Sequence, residues 1–181
     1  MIFYASEFSE IPQALRNNPA VKERMLAIIS VNRISGKVTE GGDRLAKLRQ
    51  ALSLLSEDQL SFNEAIREVE HQLPRHTSIH SGSNQVFASN WAERLVRTQF
   101  SRFYNQAVLE EQLAKGRSEC YVPPSSQENA DSQCSQTLAG RSHDISYLLK
   151  LLVNSYEEGK WDKTPKIPDH PHCTHVVKPI S

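Results

Sequence analysis

Near the end of the chain, His170-Pro171-His172-Cys173-Thr174-His175 places four potential metal ligands within six positions, beside Val176-Val177. Imidazole nitrogens and thiolates bind zinc readily, and a tetrahedral site needs four donors on one point. The segment therefore reads either as a metal-held terminus or as a packed or solvated tail. In extended backbone alternate side chains share a face, so Cys173 and His175 point together while His172 and Thr174 point the other way. A turn at Pro171 brings His170 round to join the first pair.

Other chemistry is thinner. A metal with an open coordination position would suit a hydrolase or nuclease, but it needs a general base, and Asp169 and Asp131 are the local carboxylates in reach. Cys120 as a nucleophile would need an ordered histidine and an oxyanion site, which Tyr121 to Pro124 do not recognisably supply. Arg94, Arg97, Arg102 and Lys115 are the candidates for binding nucleic acid or a protein partner. Their simplest reading is a solvated helix face, because Glu93, Glu110 and Glu111 lie close by.

These residues sit in a chain of 181 residues, long enough to bury a real core. Lysine plus arginine number 21 and so do aspartate plus glutamate, which gives no global attraction to nucleic acid or to an anionic membrane. Met1 to Glu7 lacks the charged and apolar regions of a signal peptide, and no apolar run is long enough for a bilayer. A soluble protein kept in a reducing cytoplasm, with no membrane contact, is expected. Cys120, Cys134 and Cys173 are too few and too widely spaced for a disulfide framework. Metal ligation or plain thiols suit them better.

Asn18-Pro19 has the form of an N-cap followed by a first-turn proline, opening a helix through Val21, Met25, Ile28 and Ile29 that ends near Gly36. Leu45, Leu48, Leu52 and Leu55 recur at helical spacing. Ser61-Phe62-Asn63-Glu64 has the capping-box pattern and opens a helix with Ile66, Val69 and Leu73, stopped by Pro74. From residue 75 to 85 the text turns to His, Ser, Gly and Asn, a linker or loop. The longest helical pattern runs from about Val86 to Lys115, with Gly116 as its left-handed stop. Its apolar positions cover most of its circumference, leaving a polar stripe through Asn90, Arg94, Arg97, Ser101, Asn105, Gln112 and Lys115. After a polar stretch to Gln133, Ile145, Leu148, Leu149, Leu152 and Tyr156 form one more helix, and Val176-Val177 suits a short strand. The spacing predicts a mainly α protein: a helical bundle with one long central helix and a small irregular α+β C-terminal segment. Its regions are 1–74, a loop at 75–85, and 86–181.

The segment Trp91 to Gln99, with Tyr104-Asn105-Gln106-Ala107 and Lys115-Gly116, resembles the helix before the C-terminal motif of the phage head morphogenesis (Mu F-like) minor head proteins. That family continues with an Asp and a Cys-x-x-Cys, a Leu-Ala-Gly-Arg, and a final His-Pro-Asn-Cys-Arg-Cys. Here the matching residues are Asp131-Ser132-Gln133-Cys134, Leu138-Ala139-Gly140-Arg141 and His170 to His175, so the similarity covers about Ala88 to Pro179. Three positions depart from the pattern: Gln99 replaces a glutamate, Thr137 the second cysteine of the pair, and His175 the final cysteine.

The resemblance implies a structural virion-assembly protein near the portal, touching portal or other capsid proteins and packaged DNA, in the virion or the host cytoplasm. A host-directed interaction or toxin-type module is the other non-enzymatic reading, because residues 1–74 carry no such resemblance. Cys134, lying before the Leu-Ala-Gly turn, is the natural fourth ligand beside His170, Cys173 and His175, with Cys120, His143 and His172 as alternates. A Cys2His2 set around Zn2+ is formally neutral, which lowers the penalty of burying it.

Overall fold

The computed structural model describes residues 1–181. It is mainly helical, with seven α-helices and a small three-stranded antiparallel sheet. After a 3-10 turn at Phe8–Glu10 come α1 (Ile11–Asn17), α2 (Pro19–Val31), α3 (Arg44–Ser56) and α4 (Phe62–Gln72). The long helix α5 (Trp91–Ala114) follows, then β1 (Glu119–Val122), α6 (Gln133–Thr137), β2 (Arg141–Asp144), α7 (Ile145–Leu152), a π-helical turn (Val153–Glu157) and β3 (Lys178–Pro179).

Several helix ends follow from local chemistry. The Asn18 side chain accepts a hydrogen bond from the Val21 amide, and Pro19 needs no donor at the first helical position. Ser61 and Glu64 form the full capping box, each side chain satisfying the other's backbone amide. Gly116, at φ +75°, ends α5: its amide bonds to Leu113 O and the Arg117 amide to Gln112 O, the pairing that satisfies the last carbonyls of a helix. Two ends differ from the sequence expectation. Helix α2 stops at Val31 rather than near Gly36, because Asn32 turns extended and its carbonyl accepts from Arg49. Helix α5 starts at Trp91 rather than Val86, because the chain turns over Ala88–Asn90 with the Phe87 ring packed edge-on against Trp91 at 5.2 Å.

One apolar core runs from Ala5 through the helices to Val177, so the regions on either side of residues 75–85 are packed together. The 75–85 loop is itself tied down. Arg75 donates to Ser81 O and Asn84 Oδ1, and Arg44 reaches across to Leu73 O and Pro74 O. Helix α5 is surrounded by α2, α3, α4, α7 and β3. Its expected polar stripe is therefore corrected: Ser101, Asn105 and Gln112 are buried, and only the two ends of the stripe reach solvent. Full burial of an aliphatic side chain such as Leu48, Leu52 or Ile29 contributes roughly 1.5–3 kcal/mol each.

The sheet order is β2-β1-β3, both pairings antiparallel. Gly140, at φ +73°, reverses the chain between α6 and β2, and its amide bonds to Val122 O at 2.7 Å. The C-terminal strand lies at Lys178–Pro179 rather than at Val176-Val177, whose side chains enter the core while the Val177 amide bonds to Asn105 of α5. No helix is long and apolar enough to cross a membrane.

Candidate metal centre

The ligand-type residues converge where three segments meet. The first is α6, whose second residue is Cys134. Ser132 caps this helix by accepting from the Ser135 amide, and its hydroxyl lies 3.3 Å from Cys134 Sγ. The second is the tail. The Cys173 amide bonds to His170 O at 3.0 Å, closing a turn with Pro171 at its second position. Proline presets φ there, so the two ends of the turn, His170 and Cys173, face the same place. The third is the loop between β1 and α6, which delivers Glu128. One oxygen of Glu128, Oε2, accepts from the Thr174 amide at 2.9 Å and the Thr174 hydroxyl at 3.3 Å.

The donor atoms of Glu128, Cys134, His170 and Cys173 all lie within 4.8 Å of one another. His170 Nε2 stands 3.2 Å from Glu128 Oε1 and 3.9 Å from Cys134 Sγ. In a tetrahedral zinc site with bonds of about 2.0–2.3 Å, neighbouring donors are roughly 3.3–3.8 Å apart. The two His170 separations, 3.2 and 3.9 Å, lie at the edges of that range, and two thiols, an imidazole and a carboxylate are a donor set that zinc accepts. The cluster could thus hold a metal ion.

Cys134 and Cys173 are buried and free of any disulfide, and the Glu128 side chain is 6% exposed; only His170, at 38%, opens to solvent. The electrostatics match this closeness. Cys134 is held well below the ordinary cysteine range, foremost by the hydrogen bond from Cys173, then by His170, His175 and Ser132 against the opposing effect of burial. The neighbouring Cys134 in turn pushes Cys173 up. His170 is raised, first by its bond to Cys134 and, against burial, by Glu128.

Of the four ligands expected from sequence, the fold brings Cys134, His170 and Cys173 together. His175 is buried at the margin, its Nδ1 3.8 Å from Cys173 Sγ and 3.9 Å from Glu128 Oε2, its Nε2 3.4 Å from Ser135 Oγ. It lies outside the four-residue group, and Glu128 stands inside it. Sequence reasoning missed Glu128 because it sits in a polar stretch with no ligand spacing. The alternates lie elsewhere. Cys120 is buried in the sheet with its thiol near His143 O, and burial pushes it up to about 12, the opposite of the lowered range of reactive thiolates. His143 bonds to Leu138 O, and His172 is exposed on the outside of the turn. Of the carboxylates weighed as a base, Asp169 accepts from the Lys166 amide and Asp131 is exposed.

The four candidate basic residues separate. Arg94 and Lys115 are exposed, Lys115 pairing with Glu111 at 2.8 Å. Arg97 lies over the Phe8 ring at 4.3 Å. Arg102 is fully buried, over the Phe103 ring at 3.9 Å and donating to Arg33 O, and burial lowers it to about 10. It belongs to the core and is unavailable to a partner. It reaches Arg33 O, after α2, and Glu157, after α7, at 3.9 Å, which periodicity alone did not reveal.

Comparison with known family models, with curated proteins and with solved structures returns no match to this chain.

Proposed function

We propose that this is a non-enzymatic assembly protein of the phage minor head kind, whose C-terminal region is locked by a structural Zn2+ clamp. The observation that carries this reading is the convergence of Glu128, Cys134, His170 and Cys173 from a loop, a short helix and the tail. Cross-linking of distant segments through largely buried side chains suits a structural metal, which needs all its coordination places filled by protein. Zn2+, when bound, supplies the joint itself, and the ligand affinity becomes folding free energy. The chain's own residues do the rest: Ser132 and Ser135 steady the α6 end, and Thr174 steadies Glu128.

A hydrolase at this place would need a free base and room for substrate, and the buried thiols offer neither. The ordered series Arg97-Thr98, Leu138-Ala139-Gly140-Arg141 and His170-Pro171-His172-Cys173 supports the head-protein reading, with portal or other capsid proteins as partners and packaged DNA as a further contact. The test is assembly. Expressed with a cognate portal and capsid, the protein should be recovered in particles, and His170→Ala or Cys173→Ala should lower melting temperature and particle incorporation together. Metal-dependent cleavage of nucleic acid, lost in both variants with melting temperature unchanged, would reverse this conclusion.

A further inference from the structure

We propose that Glu128 is the fourth ligand of this metal site and that His175 serves outside the coordination shell; this rests on the clamp reading above. Three observations support it. Glu128 Oε2 is already taken by the amide and hydroxyl of Thr174, which leaves Oε1 aimed at His170 Nε2 at 3.2 Å. A carboxylate fixed through one oxygen presents the other as a single donor. Secondly, the loop that carries Glu128 is fastened. Ser125 and Ser126 donate to Glu7, and the Ser125 hydroxyl lies 2.8 Å from Thr174 Oγ1. Thirdly, the Glu128 side chain is only 6% exposed, and a carboxylate buried this far is costly unless a cation is shared with it.

His175 fits the outer role better than the inner one. Its Nδ1 lies 3.8 Å from Cys173 Sγ and 3.9 Å from Glu128 Oε2, and its Nε2 3.4 Å from Ser135 Oγ, so the ring touches the group from its edge. Two thiolates, a carboxylate and a neutral imidazole carry one more negative charge than a divalent ion neutralises, and an N–H from His175 toward Cys173 Sγ offsets part of that excess. The chain has Thr137 where a second cysteine of the family pattern would stand, and Glu128, from nine residues earlier, supplies the missing donor. The ligand set then reaches the N-terminal arm as well: Glu7 holds the Glu128 loop, and the Phe8 amide bonds to Thr174 O at 2.8 Å.

The experiment uses the full chain loaded with Zn2+ for X-ray absorption and with Co2+ for visible spectroscopy. Wild type should show two sulfurs, one imidazole and one oxygen. Glu128→Cys should add a third sulfur and raise the thiolate-to-cobalt charge-transfer intensity by about half, in proportion to thiolate number. Glu128→Gln should weaken Zn2+ binding by about 10- to 100-fold or more in competition with a chromophoric chelator. It also serves if Glu128→Cys fails to fold, with circular dichroism reporting that the chain remains helical. His175→Ala should leave the count of one imidazole unchanged. Two sulfurs with two imidazoles, falling to one imidazole in His175→Ala and unaffected by Glu128→Gln, would overturn the proposal and leave the clamp intact. No Zn2+ bound by wild type would overturn the clamp reading itself, and the ligand assignment with it.

Discussion

Asn105, midway along the long helix, accepts the Val177 amide at 2.8 Å, joining two buried residues 72 positions apart. Its own amide nitrogen donates to Ser101 O and Ser101 Oγ, so contacts within α5 orient the side chain toward the tail. This hydrogen bond fastens the tail beyond the cluster around Cys173, between the Phe8 amide on Thr174 O and the β3 pairing with β1.

Asn105→Ala should destabilise the protein by about 1–3 kcal/mol, because it leaves the Val177 amide buried without an acceptor. Urea unfolding measures this. Zinc content should stay at the wild-type level, since the ligands lie on the other side of Thr174.

Metal removal should loosen the parts that the cluster joins. At an ion concentration about 100 times its dissociation constant, binding adds about 2.7 kcal/mol. For a domain of this size, chelation should lower the melting temperature by roughly 5–10 °C. Hydrogen exchange should quicken around Glu128, Cys134 and His170 to His175, while α2, α3 and α4 stay protected. Unchanged exchange in those segments would argue against the clamp.

Acid should release the N-terminal arm. Burial alone would raise the Glu111 carboxyl, but bonds from Lys115, Tyr4 and Gln112 outweigh it and hold the group below its ordinary 4.5. A depressed carboxyl contributes stability that is present above its unfolded value and lost as pH falls through the folded one. Stability should therefore decline below about pH 4.5, and Glu111→Gln should flatten that decline. Tyr4, which donates to Glu111 at 2.8 Å, is the reporter, through its fluorescence or exchange.

Arg102 and Arg94 should behave as opposites. Arg102→Ala removes a fully buried side chain packed on Phe103, and a loss of about 2–4 kcal/mol is expected. Arg94→Ala, on an exposed position, should stay within about 0.5 kcal/mol. If the face of α5 near Arg94 meets a capsid partner or DNA, only the second variant should weaken co-sedimentation without changing thermal stability.

Much of the local structure was legible in the chain. Asn18-Pro19, Ser61 with Glu64, and Gly116 mark helix ends because caps act within a few residues of backbone, and the leucine spacing of α3 marks its buried face. The tail's share of the cluster was legible in part: His170 and Cys173 are joined by a four-residue turn that proline presets, whereas His175 falls outside the group. Their third partner, Cys134, was placed through its position before the Leu-Ala-Gly turn.

What the sequence determined, then, were features whose causes are local: caps, turns, helical periods and the presence of a ligand-rich tail. The tertiary structure alone decided the rest. Glu128 enters the cluster through a loop fastened to Glu7 and Thr174, more than 40 residues from either in sequence, so no spacing could announce it. Arg102, Ser101 and Asn105 look like a wet helix face until α2, α7 and the tail close over them. The order β2-β1-β3 likewise depends on where the last residues return, and a strand of two residues has too little period to be read in advance. Burial is a property of what surrounds a residue on every side, and a chain read in one dimension shows only its neighbours along the backbone.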